Sequence, residues 1–253
     1  MATTVLAPAA ENRAHRRRGP GWVPNQHGAW AMLAAPLLVG ILAAGPRWVH
    51  LPLTAFWFAG YFTFFATGLW LKSRRKARYL PPVRTYAALA AALGAVTLVM
   101  APGLLRWVPL FVAPPAIGMY ASATRTERSL VSGLATAIGS CLMAVVAYDA
   151  GGGTDWPRIW IIAGVLAAYF GGTVVYVKTM IRQRDSRPHY LLSVAWHVVA
   201  ALAMLAVSTP LVVIFIALAA RAALLPGHPL TPKTVGIPEI FATLAVTIGA
   251  LLA

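Results

Sequence analysis

The side chains of this chain that could bind or react are confined to short polar stretches between long apolar runs. PNQHGAW (24–30) places Asn25, Gln26 and His27 between an arginine cluster and the apolar AMLAAPLLVGILAAG. WLKSRRKARYLPP (70–82) offers Lys72 and Arg75, YASATRTERS (120–129) offers Tyr120 and Arg125, and YVKTMIRQRDSRPHY (176–190) offers Lys178 and Arg182. Cations converging from several loops can hold a phosphate or another anionic group. The free N–H groups of a helix beginning near His27 favour the same charge. Each feature also has a plainer reading. Lysine and arginine beside apolar segments orient a membrane protein and touch lipid headgroups, and Trp30 and Pro24 suit an interface belt and a helix start. Gln26 and His27 can bond headgroups or the N–H groups of a first helical turn.

Two groups lie deeper. Glu239, in GIPEIF, falls several residues inside the last apolar run. A carboxylate there needs a partner or a proton, and Arg221 and Lys233 are the candidates by depth. Glu239 reads either as an interhelical tie or as a ligand-binding or proton-relay group. His197 follows Trp196 within another apolar run and reads as a hydrogen-bonding contact to a neighbouring helix. Haem ligation needs a second well-placed His or Met, which the sequence does not place convincingly, and the residues leave the cofactor unassigned. The single Cys141 lies in an apolar stretch and reads as a small packing residue, with no disulfide framework and no cysteine metal site. Asp149 and Asp155 flank a GGG loop.

The elements that must position these residues follow from composition. The chain is 59% hydrophobic and 11% charged, where a soluble domain carries roughly a quarter of its residues as charges. This is the composition of an integral membrane protein. A net charge of +15 does not indicate nucleic acid, because the basic residues punctuate apolar segments instead of covering one water-facing surface. A helix crosses the hydrocarbon core with about twenty mostly apolar residues. The segments that qualify are 28–45, 51–71, 83–101, 103–121, 129–149, 157–180, 190–208, 210–225 and 234–253. Pro114 and Pro115 should kink or break the fourth. Residues 1–23 read as a disordered basic tail and 24–253 as one transmembrane domain. The first apolar run has no small-residue cleavage site at its end and reads as a retained helix.

Charge gives the orientation. With nine spans, all of the 21 Lys and Arg residues except Arg47, Arg106 and Arg158 fall on the side of the N-terminus. By the positive-inside rule that side is cytoplasmic in a plasma (inner) membrane, and the C-terminus is external.

Two resemblances add to this reading. Polar loops after the second, fourth and sixth spans resemble the UbiA superfamily of intramembrane prenyltransferases, as does Pro36 with Gly40 in LAAPLLVG. That superfamily carries Asp-rich motifs after helices two and six and a Y-x-x-x-K-R motif after helix four. Here Tyr120 is followed by ASATR, so Arg125 stands where the motif has Arg and Thr124 where it has Lys. The Asp-rich motifs are missing. The second loop has no acidic residue, and the sixth has only Asp185 among the six in the chain. Magnesium needs oxygen ligands to bridge a diphosphate, so Mg-dependent diphosphate chemistry and a metal site are not expected. NQHGAW leading into a helix with Pro and Gly, and KTVGIPE near the end, resemble the YwiC-like family of bacterial integral membrane proteins over most of the chain from Pro24. That family brings no activity with it.

The expectation is therefore an all-α membrane bundle of about nine helices in a UbiA-like arrangement, around a central cavity open to the cytoplasmic side. Its partners would be membrane lipids, with an isoprenoid or lipid phosphate bound through a cytoplasmic cationic pocket. The competing reading is a small-solute transporter or a membrane-complex assembly partner, with Glu239 and His197 lining a path or an interface.

Overall fold

The computed structural model describes residues 21–24, 27–228 and 231–253, and the backbone alone at His27, Pro232 and Lys233. The described chain is helical throughout: α1 (His27–Ala44), α2 (His50–Lys72), α3 (Leu80–Met100), α4 (Ala113–Ala123), α5 (Leu130–Ala150), α6 (Trp156–Ile181), α7 (Arg187–Ala203), α8 (Thr209–Leu224) and α9 (Pro232–Leu252). Side-chain caps begin several of them. Ser129 accepts the Ser132 N–H at 3.2 Å, Asp155 the Arg158 N–H at 3.1 Å and Thr231 the Thr234 N–H at 3.2 Å. Each cap satisfies a first-turn donor that the helix leaves open.

Five of these helices are long and apolar enough to cross a membrane: the segments ending at Met100, Ala150, Ile181, Ala206 and Leu252. The expected fourth span is broken, as its prolines require. A ten-residue 3-10 helix, Pro102–Phe111, meets α4 at a 42° bend, and Pro114 and Pro115 open the new helix. Counting that pair as one span gives six. Helix α1 and the 16-residue α8 are apolar but shorter than the roughly twenty residues that cross a hydrocarbon core, and α2 has the length at 23 residues but owes much of its apolar surface to Phe, Tyr and Trp rings. The molecule is a helical, multi-pass membrane protein.

The interior is built on α5 and α6, of which 61% and 67% is buried, against 11% for the segment ending at Met100 and 22% for α9. Helix α1 lies directly on α5 at Gly40. A Cβ there would stand 2.2 Å from the Ala144 carbonyl oxygen and 2.8 Å from the Ala147 Cβ. This is a backbone-on-backbone contact between the two helices. Helices α2–α4 flank one side of the α1–α5–α6 centre, and α7–α9 flank the other.

The two ends differ in chemistry. At one, the Arg106 guanidinium donates to Asp149 while lying over the Trp107 and Trp156 rings, and Trp107 Nε1 donates to the other Asp149 oxygen at 2.8 Å. Buried His50 accepts the Arg47 N–H on Nδ1 and donates from Nε2 to the Ala147 carbonyl, both at 2.9 Å. Arg158 donates to the Leu251 carbonyl at 2.7 Å. The other end gathers the polar loops after α2, α4, α6 and α8. There the Tyr86 hydroxyl donates to the Trp22 carbonyl at 2.6 Å, so the last residues assigned to a disordered tail pack against α3. Residues 1–20 lie outside the described residues.

Candidate functional site

At the basic end, the loops after α2 and α4 are joined by an ion pair between Lys72 and Glu127. Burial alone would raise the Glu127 carboxyl; the hydrogen bond from Lys72, its own backbone N–H and the Lys72 and Arg128 charges outweigh burial and hold it below the usual range. Beside this tie, three arginines adopt left-handed backbone. Arg74 and Arg75 follow α2 with φ of 59° and 61°, and Arg125 follows α4 with φ of 60°. These positions close the helices. Arg75 N–H donates to the Trp70 carbonyl at 2.8 Å, and Thr126 N–H to the Ala121 carbonyl at 2.7 Å. Glycine is the usual residue at such closures, because a Cβ there is strained. Among the described residues neither Arg75 nor Arg125 has an acidic partner; Arg75 lies over the Trp70 ring at 5.8 Å.

The remaining expected site residues divide. Tyr120 is 71% exposed, turned outward near the end of α4. Lys178 lies in the last turn of α6 and Arg182 is its C-terminal cap. Asn25 and Gln26 lie outside the described residues, as does the His27 side chain. The structure therefore brings Lys72 to the loop that carries Arg125.

Glu239 is elsewhere, in a buried polar cluster between α6, α8 and α9. Its Oε1 pairs with Arg221 Nη1. Its Oε2 accepts from Thr173 Oγ1 at 3.1 Å and lies 3.2 Å from the Tyr169 hydroxyl. The single Tyr169 hydrogen has a second acceptor within reach in the Glu239 carbonyl at 3.0 Å, where Thr243 also donates at 2.7 Å. The carboxylate is fully supplied with donors. Of the two partners the sequence offers, Arg221 is the one used; the Lys233 side chain lies outside the described residues. Arg125, in the loop after α4, is not among the groups that hold Glu239.

Arg221 is less well served. Its guanidinium carbon stands 4.1 Å from the centre of the Tyr176 ring, a close cation–π contact. Its Nε and Nη2 are buried and have no hydrogen-bond partner among the described residues. Tyr176 in turn meets His197 edge-on at 6.3 Å between ring centres. His197 Nδ1 donates to the Ser193 carbonyl at 2.7 Å, so His197 is tied to its own helix. It also touches α6, where Gly172 makes room: a Cβ there would lie 3.0 Å from His197 Nε2. Among the described residues no three His, Cys, Asp or Glu side chains form a group that could hold a metal ion.

Sequence reasoning missed Glu127 as the partner of Lys72, and Tyr169, Thr173, Tyr176 and Thr243 around the Arg221–Glu239 pair. A signal for three of them was present. Tyr169, Thr173 and Tyr176 recur at intervals of four and three, which puts their polar atoms on one face of a helix.

Comparison with known proteins gives a consistent picture. The family model for YwiC-like protein matches residues 23–148. The uncharacterized protein YwiC of Bacillus subtilis (strain 168) is 30% identical over 220 residues, covering 86% of this chain and 92% of that protein. An uncharacterized protein of Haemophilus influenzae (strain ATCC 51907 / DSM 11121 / KW20 / Rd) is 29% identical over 232 residues, covering 91% and 97%. No solved structure matches, so the UbiA-like arrangement rests on the sequence motifs alone.

Proposed function

The chain belongs to the YwiC-like family, and from that premise we propose that it binds an amphiphile with an anionic head, such as a lipid or isoprenoid phosphate, at its basic end. The observation that carries this reading is the left-handed backbone of Arg74, Arg75 and Arg125. A non-glycine residue in that region costs about 1 kcal/mol or more, and glycine would close both helices without strain. Basic side chains at helix C-termini favour the dipole, but lysine or arginine one turn earlier would do that unstrained. Arginine at these strained positions fits a role for the guanidinium groups themselves. Arginine offers a planar fork that matches phosphate oxygens.

This reading separates binding from folding. Arg75→Gly and Arg125→Gly together should leave the unfolding free energy within about 1 kcal/mol of the parent, because relief of strain offsets the greater freedom of glycine in the unfolded chain. Binding to vesicles containing phosphatidylglycerol should fall at least tenfold, while binding to phosphatidylcholine vesicles stays the same. Equal loss with both lipids, or no loss, would count against the basic end as a binding site.

In the same reading all nine hydrophobic segments cross the plasma membrane, with the polar loops cytoplasmic. The short α1 and α8 span by local thinning of the bilayer, at a modest cost. A reporter inserted between Lys76 and Arg78 should be cytoplasmic and one fused after Ala253 external. Both on one side would remove the nine-span topology.

A further inference from the structure

We propose that Arg221 is the seat of the anionic head: its Nε–Nη2 edge takes two oxygens of a phosphate or carboxylate group, and Glu239 holds the guanidinium in place for it. This deepens the reading above and rests on it for the class of ligand.

The Arg221–Glu239 ion pair is unevenly satisfied. Glu239 receives Arg221 on one oxygen and the hydroxyls of Thr173 and Tyr169 on the other. Arg221 spends only Nη1 on Glu239 and lays its face on Tyr176. The Nε and Nη2 groups, which form one edge of the guanidinium, are left buried without an acceptor among the described residues. A buried donor with no acceptor is costly, and more so when it is charged. This unbonded edge carries two parallel N–H bonds, the geometry that matches a carboxylate or phosphate. A neutral single acceptor would satisfy only half of it.

Placement supports the same occupant. Arg221 lies in the last turn of α8, so the unbonded edge is just inside the basic end. Tyr190 ties the start of α7 to this turn by donating to the Ala223 carbonyl at 3.1 Å. An anion entering here meets the field of the basic loops first. That field offsets the carboxylate of Glu239, which has already neutralised Arg221. Ser193 Oγ on α7, likewise buried and unpartnered among the described residues, belongs to the residue whose carbonyl holds His197 beside Tyr176.

The test uses the full-length protein in neutral detergent, with dodecyl phosphate and inorganic phosphate as probes and the thermal midpoint as readout. A ligand that binds only the folded protein raises the midpoint with concentration. Wild type should respond to dodecyl phosphate; a response to inorganic phosphate as well identifies the free ion as sufficient, and its absence identifies the lipid-like tail as required. Arg221→Lys keeps the charge and removes the fork, and should weaken the response at least tenfold. If that variant does not fold, Arg221→Met with Glu239→Leu replaces the whole pair by apolar groups, a change often neutral for stability, and should abolish the response. A folded variant of either kind that binds within threefold of wild type overturns the proposal. Loss in Arg75→Gly/Arg125→Gly but not at Arg221 would leave the basic end as the site and refute Arg221. Loss at Arg221 alone would refute the loops and retain Arg221. No response from wild type refutes both.

Discussion

Glu239→Leu alone should lower the unfolding free energy by about 3–5 kcal/mol, whereas Glu239→Leu combined with Arg221→Met should restore most of that loss. Both side chains of this pair are 13% exposed, so solvent screens them little. Removing the carboxylate leaves a guanidinium that, among the described residues, already lacks acceptors on two nitrogens and then loses its anionic partner. It also takes the acceptor from the Thr173 hydroxyl, while Tyr169 keeps the Glu239 backbone carbonyl. Removing both charges eliminates the unpaired ion. Glu239→Gln is the intermediate case: it keeps the shape and an acceptor oxygen but loses the charge, and its cost should lie between the other two. Chemical denaturation in mixed micelles measures all three. A single variant as stable as the double would show that the pair does not tie α8 to α9.

The second large effect belongs to Gly40. Gly40→Ala should destabilise by about 3 kcal/mol, the upper part of the range for overpacking. The new methyl meets the Ala144 carbonyl oxygen at 2.2 Å and its carbon at 2.9 Å, and backbone cannot swing aside as a side-chain tip can. Either α1 or α5 must shift, and both are packed against α6. Gly164→Ala is the matched control. It lies in α6, where an added Cβ meets nothing within 4 Å, so it should be neutral or slightly stabilising, because alanine is the better helix former. Equal effects at the two positions would mean that α1 does not lie on α5 as described.

The helices were largely legible in the sequence, and their neighbours were not. Segments 51–71 and 157–180 correspond to helices at His50–Lys72 and Trp156–Ile181, because runs of apolar residues between charged loops mark their own ends. The break before Pro114 was legible too, since proline removes a donor and forces a new start. Which helix touches which was hidden by the solvent. Lipid tails are as apolar as a packed core, so a membrane helix need not show a polar outer face to betray its inner one. Gly40 therefore read as a helix residue in a motif, not as the contact point with Ala144. The Arg221–Glu239 pairing was accessible, because opposite charges inside apolar segments have few partners to choose from. Its hydroxyl shell was not, because Tyr169 and Thr173 are common residues whose role depends on α9 lying against α6.

Native mass spectrometry of the purified full-length protein, released from neutral detergent in the presence of EDTA, tests the central claim most directly. The account predicts that a phosphate-headed lipid co-purifies and stays bound after EDTA treatment, because cationic side chains and not magnesium hold the head. It also predicts that the Arg75→Gly/Arg125→Gly protein, equally folded, emerges with that lipid depleted. A wild-type protein that emerges free of such lipids, or one that retains them only when Mg²⁺ is supplied, would contradict the account.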